Sequence, residues 1–194
     1  MAKSPLTREI ELNFVEYLYD VRYELAIIEC AIGARKKYGI VDVLSYHGKR
    51  ISNGRGRPRT REVTWRCYEI KTSKADFYSP HKWTFVGDYN YFVVPEFLYD
   101  EIKKDIPKGI GCYIYTGGKK GFKIVKKAAR KKTRISESQL MHDYLVSNNR
   151  DSRRWLKHKA LGGKQIQLNN YPYREAGLGN LSTPLFIYTV STYN

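Results

Sequence analysis

The chain has 194 residues, of which 35 are Lys or Arg and 19 are Asp or Glu, and its formal charge of +16 favours a polyanionic partner. The length fits one domain, and contents of 42% hydrophobic and 14% aromatic residues argue against wholesale disorder. We find no apolar run near the roughly 20 residues of a membrane span, no secretory leader, and no disulfide or zinc spacing among three cysteines. These features predict a reduced, cytoplasmic protein with no membrane partner.

The first predicted element is a helix from about residue 6 to the high twenties. Ser4 is a suitable N-cap, and Pro5 is tolerated at the first helical position. Apolar residues then recur at helical spacing, at Phe14, Leu18, Val21, Leu25 and Ile28.

Two strands are predicted next, separated by a basic segment. GIVDVLSY is an apolar, β-branched run with Asp42 inside it, which is typical of a buried strand. The Gly, Arg and Pro content of residues 48–60 predicts a mobile loop. VTWRCYEIKTS alternates as a strand does, and places Glu69 and Lys71 on the same face.

The remaining elements complete an α/β pattern. YNYFVVP and GIGCYIYT predict strands, PEFLYDEIKKDI a helix between them, and GFKIVKKA a fifth strand or hairpin partner. SESQLMHDYLVS predicts one more helix, and PLFIYTVSTY a strand near the end. The order predicts an α/β domain with a mixed sheet. We assign residues 1–135 to this domain and residues 136–194 to a basic C-terminal extension that packs on it.

The positive charge is unevenly distributed. Residues 1–100 carry 16 Lys and Arg against 13 acids, whereas residues 101–194 carry 19 against 6. Six Lys and Arg without an acid lie in residues 47–61, nine lie in 119–134, and a third cluster, NRDSRRWLKHK, follows. Nucleic acid fits such clusters best, because phosphate contacts supply most of the non-specific affinity. The predicted nucleic-acid-binding residues are Lys49, Arg50, Arg55, Arg57, Arg59, Arg61, Lys119, Lys120, Lys126, Lys127, Arg130, Lys131 and Lys132.

The alternative for these clusters is a solvated basic face that keeps the protein soluble. If they do bind nucleic acid, the loop Gly48–Arg61 between the two acidic strands is expected to overhang the cleft and grip phosphates. Residues 119–134 would supply a second surface. Trp155, among arginines and a lysine, suits either base stacking or packing of the C-terminal region.

Two acids, Asp42 and Glu69, stand inside strands that otherwise read as core. A buried carboxylate is costly unless it is paired or binds a metal. Lys71 beside Glu69 is one explanation, as an internal salt bridge. The other is a hard-oxygen site at the ends of neighbouring strands, which suits Mg²⁺ and phosphodiester chemistry.

A longer string around Glu69 carries a family resemblance. EIKTSKADF at 69–77, HKW at 81–83, Asp88 and YFVVP at 91–95 resemble the PD-(D/E)XK nuclease superfamily, and are most similar to its MmcB-like DNA-repair domains. The resemblance covers about residues 24–117. It implies a restriction-endonuclease-like αβββαβ core with a mixed sheet, and Mg²⁺-dependent DNA cleavage in which Mn²⁺ can substitute.

The resemblance also implies residue roles. Asp42 and Glu69 become metal ligands, and Lys71 orients or activates the attacking water and stabilises the developing phosphorane charge. The family usually adds a catalytic, metal-binding acid from the first helix or the segment after it. Glu29 is our choice for this third acid, and Glu24 is the alternative; an exposed helix acid would explain either equally well.

The chain departs from the family pattern in several places. Val41 stands where the superfamily name has Pro, the basic insertion at 47–61 is long, and nothing after about residue 135 resembles the family. Four further residues match the extended string: Ser73, Asp76, Lys82 and Trp83. They also suit structural roles, as a helix cap, a cap-region acid and a packed aromatic, and for Asp76 and Trp83 this explanation is equally good.

These features predict a metal-dependent DNA endonuclease of repair, recombination or restriction type. The alternative is a non-catalytic DNA-binding protein on a nuclease-like fold, in which Lys71 neutralises the two acids. A ribosome-associated protein ranks third, because it leaves the strand-embedded acids unexplained. Symmetrical cutting of both strands of a duplex would suggest a homodimer.

Overall fold

Four helices and one six-stranded sheet form the part of the chain that a computed structural model describes, residues 3–33, 36–52, 58–79, 83–133 and 135–160. The elements in chain order are α1 (Pro5–Asp20), β1 (Leu25–Ile32), β2 (Gly39–Ser52), β3 (Pro58–Ile70), α2 (Lys74–Phe77), β4 (Tyr89–Pro95), α3 (Glu96–Ile102), β5 (Gly111–Tyr115), β6 (Phe122–Lys126) and α4 (Glu137–Ala160). The predicted α/β class with a mixed sheet is confirmed.

The strands lie in the sheet in the same order as in the chain. β1–β2, β2–β3 and β5–β6 pair antiparallel, whereas β3–β4 and β4–β5 pair parallel. The carboxyl ends of β3, β4 and β5 therefore meet at one edge of the sheet, which we call the carboxyl edge. The start of β2 lies at the same edge, because β2 runs antiparallel to β3.

Helices cover both faces of the sheet. On one face α1 buries Phe14 against Tyr68 and Tyr113, with ring centroids 4.8 and 5.4 Å away. On the other face Leu140 of α4 packs with Trp65 and its neighbours, and α2 and α3 cover β4 and β5. Since α4 shares a hydrophobic cluster with the sheet, residues 136–160 pack on the same body as the preceding elements.

The first helix is shorter than predicted, and the expectation that it reaches the high twenties is wrong. Ser4 caps α1 as predicted, but the helix ends at Asp20. Tyr23 then adopts a left-handed φ of 53°, and the chain turns into β1. Leu25 and Ile28 keep the helical spacing of the preceding residues, yet they belong to a strand that pairs with β2.

The predicted loop at 48–60 is wrong for most of its length. β2 continues to Ser52 and β3 begins at Pro58, so the two strands form one long hairpin. The other predicted elements of the described chain are found, and the last helix continues to Ala160. The predicted strand PLFIYTVSTY lies outside the described residues, as do Arg55, Arg57 and Lys82. No helix in the described part of the chain is long and apolar enough to cross a membrane.

Candidate active site

Asp42 and Glu69 come together where β2 and β3 separate at the carboxyl edge. The last backbone pair of the two strands is Val43 with Tyr68. Asp42 and Glu69 are the next residues on each strand. Beyond this pair, the N–H of Ile70 donates to Asp42 Oδ2 over 2.9 Å. The side chain of Asp42 thus takes the place of a backbone acceptor for Ile70. This hydrogen bond holds the Asp42 carboxylate at the end of the β2–β3 ladder.

The Glu69 carboxylate is fixed from the opposite side. Its Oε1 accepts a hydrogen bond from the N–H of Thr84 over 3.0 Å, and the residue is only 6% exposed. The charge of Asp42 acts directly on Glu69, so the two carboxyl groups lie near each other. Glu69 is buried, and Asp42 is half-buried.

Burial and mutual repulsion raise the pKa of both acids. Burial raises the pKa of Glu69 to about 8, and the charge of Asp42 adds to the effect. Burial likewise raises the pKa of Asp42, although the Ile70 N–H, Lys3 and Lys71 oppose it. A nearby positive charge favours ionisation of both groups.

Lys71 lies beside this pair and is itself 9% exposed. Its backbone N–H donates to Val93 O over 3.0 Å, which continues the β3–β4 ladder. Its Nζ lies 3.3 Å from Asp76 Oδ1, and its charge acts on both strand acids. The ammonium group is therefore held between an exposed acid on α2 and the buried pair.

The other residues of the extended string have structural contacts. The Ser73 Oγ accepts the N–H of Asp76 over 3.2 Å and caps α2. Trp83 packs on Phe77 and Phe92, with ring centroids 5.9 and 5.0 Å away. Asp76 thus positions Lys71, whereas Ser73 and Trp83 support the segment that follows β3.

A third acid, Glu11 of α1, lies near the pair and is not among the residues that the sequence patterns predicted. It is 4% exposed, and burial raises its pKa to about 7, with the charge of Asp42 contributing in the same direction. Lys3 is hydrogen-bonded to it. Glu11 precedes Phe14 and Val15 by three and four residues, so it lies on the apolar face of the helix. An acid at such a position is the sequence feature that could have identified Glu11.

Glu29 lies on β1 between Ile28 and Cys30, which pair with the two neighbours of Asp42 on β2, and its side chain contacts Lys3. Its side chain is 42% exposed and its Oε1 lies 2.8 Å from Lys3 Nζ. Burial opposes ionisation, but the hydrogen bond and charge of Lys3 outweigh it and lower the pKa of Glu29. Lys3 therefore links Glu29 to Glu11.

Glu24 lies away from these acids, in a buried polar cluster on the α1 side of the sheet. Its Oε2 accepts hydrogen bonds from Ser45 Oγ at 2.5 Å and Tyr68 Oη at 3.1 Å. Its Oε1 lies 3.2 Å from Arg66 and 3.4 Å from Arg22. These contacts give Glu24 a structural role.

Replacing Glu24 with alanine is expected to lower the free energy of unfolding by about 3–5 kcal/mol, because Arg66 would lose its partner while staying mostly buried. Urea denaturation at neutral pH measures this loss. Glu62→Ala is the control, since Glu62 forms an exposed pair with Arg130 that contributes about 0–1 kcal/mol. Equal midpoints for the two variants would contradict the structural role.

The acids near the ends of β2 and β3 can provide only a few ligands for a metal ion. In the described residues, no group of three or more His, Cys, Asp or Glu side chains is arranged to hold a metal ion. Asp42 and Glu69 form a pair, with Glu11 and Glu29 held separately by Lys3. Mg²⁺ is commonly bound through one or two carboxylates while it keeps several waters, so the pair meets its requirement for hard oxygen donors.

The basic residues of 119–134 do not form one surface. Lys119 and Lys120 lie in the β5–β6 turn, at the carboxyl edge, and Lys119 pairs with Glu16 at 2.8 Å. Lys126 donates to the carbonyl oxygens of Ile106 and Pro107. A further exposed group follows β6, and therefore lies towards the opposite edge: Lys127, Arg130, Lys131 and Lys132. The expectation of a single second surface is corrected to two separate ones.

The β2–β3 hairpin also points away from the acids. Arg50 pairs with Arg61 in the backbone register, at the end of the hairpin opposite Asp42 and Glu69. The length of β3 between Arg61 and Glu69 is roughly 26 Å, at about 3.3 Å per residue. The expectation that this segment overhangs the cleft is therefore wrong for its described part, because antiparallel pairing extends it in the other direction.

Comparisons with known proteins concern the fold. No protein-family model matches the chain, and no curated protein matches it. A solved structure, the SPO1766 protein of unknown function from Silicibacter pomeroyi, is similar with a TM-score of 0.56 and 17% sequence identity. The match covers 86% of this chain and 99% of that chain. The likeness supports a shared α/β architecture and carries no statement about activity.

Proposed function

We propose that this protein is a metal-dependent DNA endonuclease that uses Asp42, Glu69 and Lys71. The observation that carries the proposal is that the half-buried carboxyl group of Asp42 and the buried carboxyl group of Glu69 lie near each other, with the buried ammonium group of Lys71 beside them, where β2 and β3 separate. A fold held together only by packing gains nothing from such a pair, since burial of like charges costs stability.

The topology supports the same proposal by analogy. The elements α1, β1, β2, β3, α2 and β4 follow each other in the αβββαβ order of the restriction-endonuclease-like core. Glu69 and Lys71 lie at the end of the third strand of this series and Asp42 lies on the second. Because one fold hosts many activities, the site residues and not the topology carry the functional argument.

The donor set fits Mg²⁺ or Mn²⁺, which Asp42 and Glu69 would hold. The pKa of each acid is raised, and a divalent cation would supply positive charge that favours the ionised form of both. A bound cation polarises a phosphate oxygen and lowers the pKa of a bound water. Glu29, which the resemblance adds as a ligand, would first have to exchange its contact with Lys3.

Lys71 stabilises the negative charge that develops on the phosphate. Its ammonium group is held by Asp76 near both strand acids, so it is already oriented before substrate binds. In a site with little water, a fixed positive charge of this kind is worth more than in solution. The same group can hold the attacking water by a hydrogen bond.

A non-catalytic DNA-binding protein is the second candidate. The charge of Lys71 already acts to lower the pKa of both acids, as it would in a purely structural salt bridge. This candidate predicts DNA binding that needs no metal, and no nicking at any protein concentration.

The test incubates the purified protein with supercoiled plasmid and with branched DNA, in Mg²⁺, Mn²⁺ or EDTA. We expect nicked products with either metal and none in EDTA. The Asp42→Ala variant is the matched control for a contaminating nuclease. Cleavage that survives this substitution, or intact DNA under every condition, would contradict the proposal.

A further inference from the structure

The β2–β3 hairpin extends beyond the rest of the sheet as a two-stranded ribbon. β1 pairs with β2 only as far as Tyr46, and β4 pairs with β3 only from Arg66 onward. Residues 47–52 and 58–64, which we call the ribbon, have only each other as strand partners in the described part of the chain. At about 3.3 Å per residue, the ribbon is roughly 20 Å long.

The base of the ribbon is anchored to the body of the protein. The ring of Tyr46 packs at a tilt of 56° against Trp65, with ring centroids 5.3 Å apart, and Trp65 contacts Tyr144 of α4 at a centroid distance of 6.0 Å. Val63 and Met141 join the same hydrophobic cluster. The direction of the ribbon is therefore set by packing against α4.

The amino-acid sequence of the ribbon is strongly basic. Lys49, Arg50, Arg59 and Arg61 stand on it, and Glu62 is its only acid. Arg50 and Arg61 lie directly opposite each other in the register. A segment with four basic residues and one acid attracts a polyanion.

A second basic segment lies beside the base of the ribbon. Arg130 pairs with Glu62 of the ribbon at 3.3 Å, which neutralises that single acid. The backbone N–H of Lys131 donates to Asp88 O over 2.7 Å, which fixes the segment at the edge opposite the acids. Lys127, Lys131 and Lys132 are exposed there. The ribbon and residues 127–132 thus adjoin and carry net positive charge.

We propose that the ribbon enters the major groove of duplex DNA while residues 127–132 bind the flanking phosphates. The major groove of B-DNA is about 12 Å wide and admits a two-stranded β-ribbon. The remaining basic side chains would neutralise phosphates along the same duplex. Duplex DNA fits better than a lipid surface, because the ribbon is narrow and projects, rather than presenting a flat amphipathic face.

The placement of this surface has a consequence for cleavage, which rests on the proposed function. Arg61 lies roughly 26 Å along β3 from Glu69. The scissile phosphate would thus lie well away from the base pairs that the ribbon contacts. Binding and cutting are therefore assigned to different parts of one duplex.

The test measures binding of the full chain to a fluorescent duplex of about 30 base pairs in EDTA, from about 50 to about 200 mM NaCl. The double variant Arg59→Ala/Arg61→Ala is expected to bind about 10–100-fold more weakly, with a salt slope that decreases by about 1 for each phosphate that is no longer neutralised. Lys103→Ala/Lys104→Ala, on exposed residues after α3, is the control and should leave affinity unchanged. Because EDTA removes metal, this result does not depend on hydrolysis.

Two further measurements address the groove and the fold. Guanine N7 atoms in the bound duplex should be protected from dimethyl sulfate, since N7 lies in the major groove. A triple variant at Lys127, Lys131 and Lys132 changes no strand and should also weaken binding, which covers a folding failure of the ribbon variant. Unchanged affinity in both variants, unprotected N7 atoms, equal binding to an RNA duplex, or binding only to phosphatidylserine vesicles would overturn the inference.

Discussion

Replacing Lys71 with alanine is expected to lower the rate of DNA cleavage about 10²–10⁴-fold at saturating DNA. The ammonium group lies next to both strand acids and is almost fully buried, so no solvent ion can replace it at the same position. DNA affinity measured without metal should stay the same, because the predicted DNA-binding surface lies at the opposite edge of the sheet. Single-turnover nicking of a plasmid and anisotropy in EDTA measure the two quantities separately.

Lys74→Ala is the matched control for this prediction. Lys74 lies three residues further along the chain, is 60% exposed, and forms only a surface pair with Glu101 at 3.5 Å. Asp76→Asn should give an intermediate loss, because it removes the charge that positions Lys71 while the amide keeps a hydrogen-bond acceptor. If Lys71→Ala cleaves as fast as Lys74→Ala, Lys71 has no part in the reaction.

Replacing Glu69 with glutamine is expected to abolish cleavage and yet to stabilise the metal-free fold above pH 8, by about 1–3 kcal/mol. Burial raises the pKa of Glu69 from 4.5 to about 8, so the folded protein binds this proton more tightly than the unfolded chain does. Stability contributed by the protonated form is therefore complete below about pH 4.5 and is lost as the pH rises to about 8. The neutral amide carries no such loss, and its oxygen can still accept the N–H of Thr84.

Urea denaturation in EDTA at about pH 5 and about pH 9 measures this difference. The variant and the wild type should be close in stability at the lower pH and separate at the higher one. Glu101→Gln, at a side chain that is 51% exposed, serves as the control and should show no such pH dependence. A Glu69→Gln protein that is less stable than the wild type at pH 9 would contradict the charge repulsion.

Local sequence patterns were sufficient for most of the sheet but not for β1. The first half of β2 and all of β4 are apolar runs, and their burial follows directly from composition. Leu25 and Ile28, in contrast, continue the three- and four-residue spacing of α1. The break between α1 and β1 depends on Tyr23, which adopts a left-handed φ. This conformation is uncommon for residues other than glycine, and no glycine lies next to Tyr23 in the sequence to indicate a turn.

The sequence pattern predicted the site residues that lie on strands, whereas the positions of the other acids depend on the tertiary fold. An acid inside an apolar strand is conspicuous, which is why the sequence pattern alone identifies Asp42 and Glu69. Sequence spacing could not show which of Glu24 and Glu29 has a structural role, because their partners come from other elements. Arg66 lies on β3, and Lys3 precedes α1. The placement of Glu11 likewise depends on how α1 crosses the sheet.

The basic clusters show the same limit of linear sequence. Lys119 and Lys127 belong to one run in the chain, yet β6 separates them and carries the chain across the sheet. Gly48 and Arg61 suggested a loop by composition, whereas the pairing of β2 with β3 makes them part of a hairpin. Which edge a charged segment occupies follows from strand direction, and that is a property of the whole sheet.

The pair formed by Asp42 and Glu69 is best tested by titrating the metal-free protein with Mn²⁺ and following the free ion by electron paramagnetic resonance. We predict one Mn²⁺ bound per chain by the wild type, and at least about tenfold weaker binding by Asp42→Asn, which keeps the shape of the side chain but removes its charge. Asp100→Asn, at a side chain that is 80% exposed, is the control and should bind as the wild type does. Equal Mn²⁺ binding by the wild type and Asp42→Asn, or none by either, would contradict the assignment of these two acids to a catalytic metal.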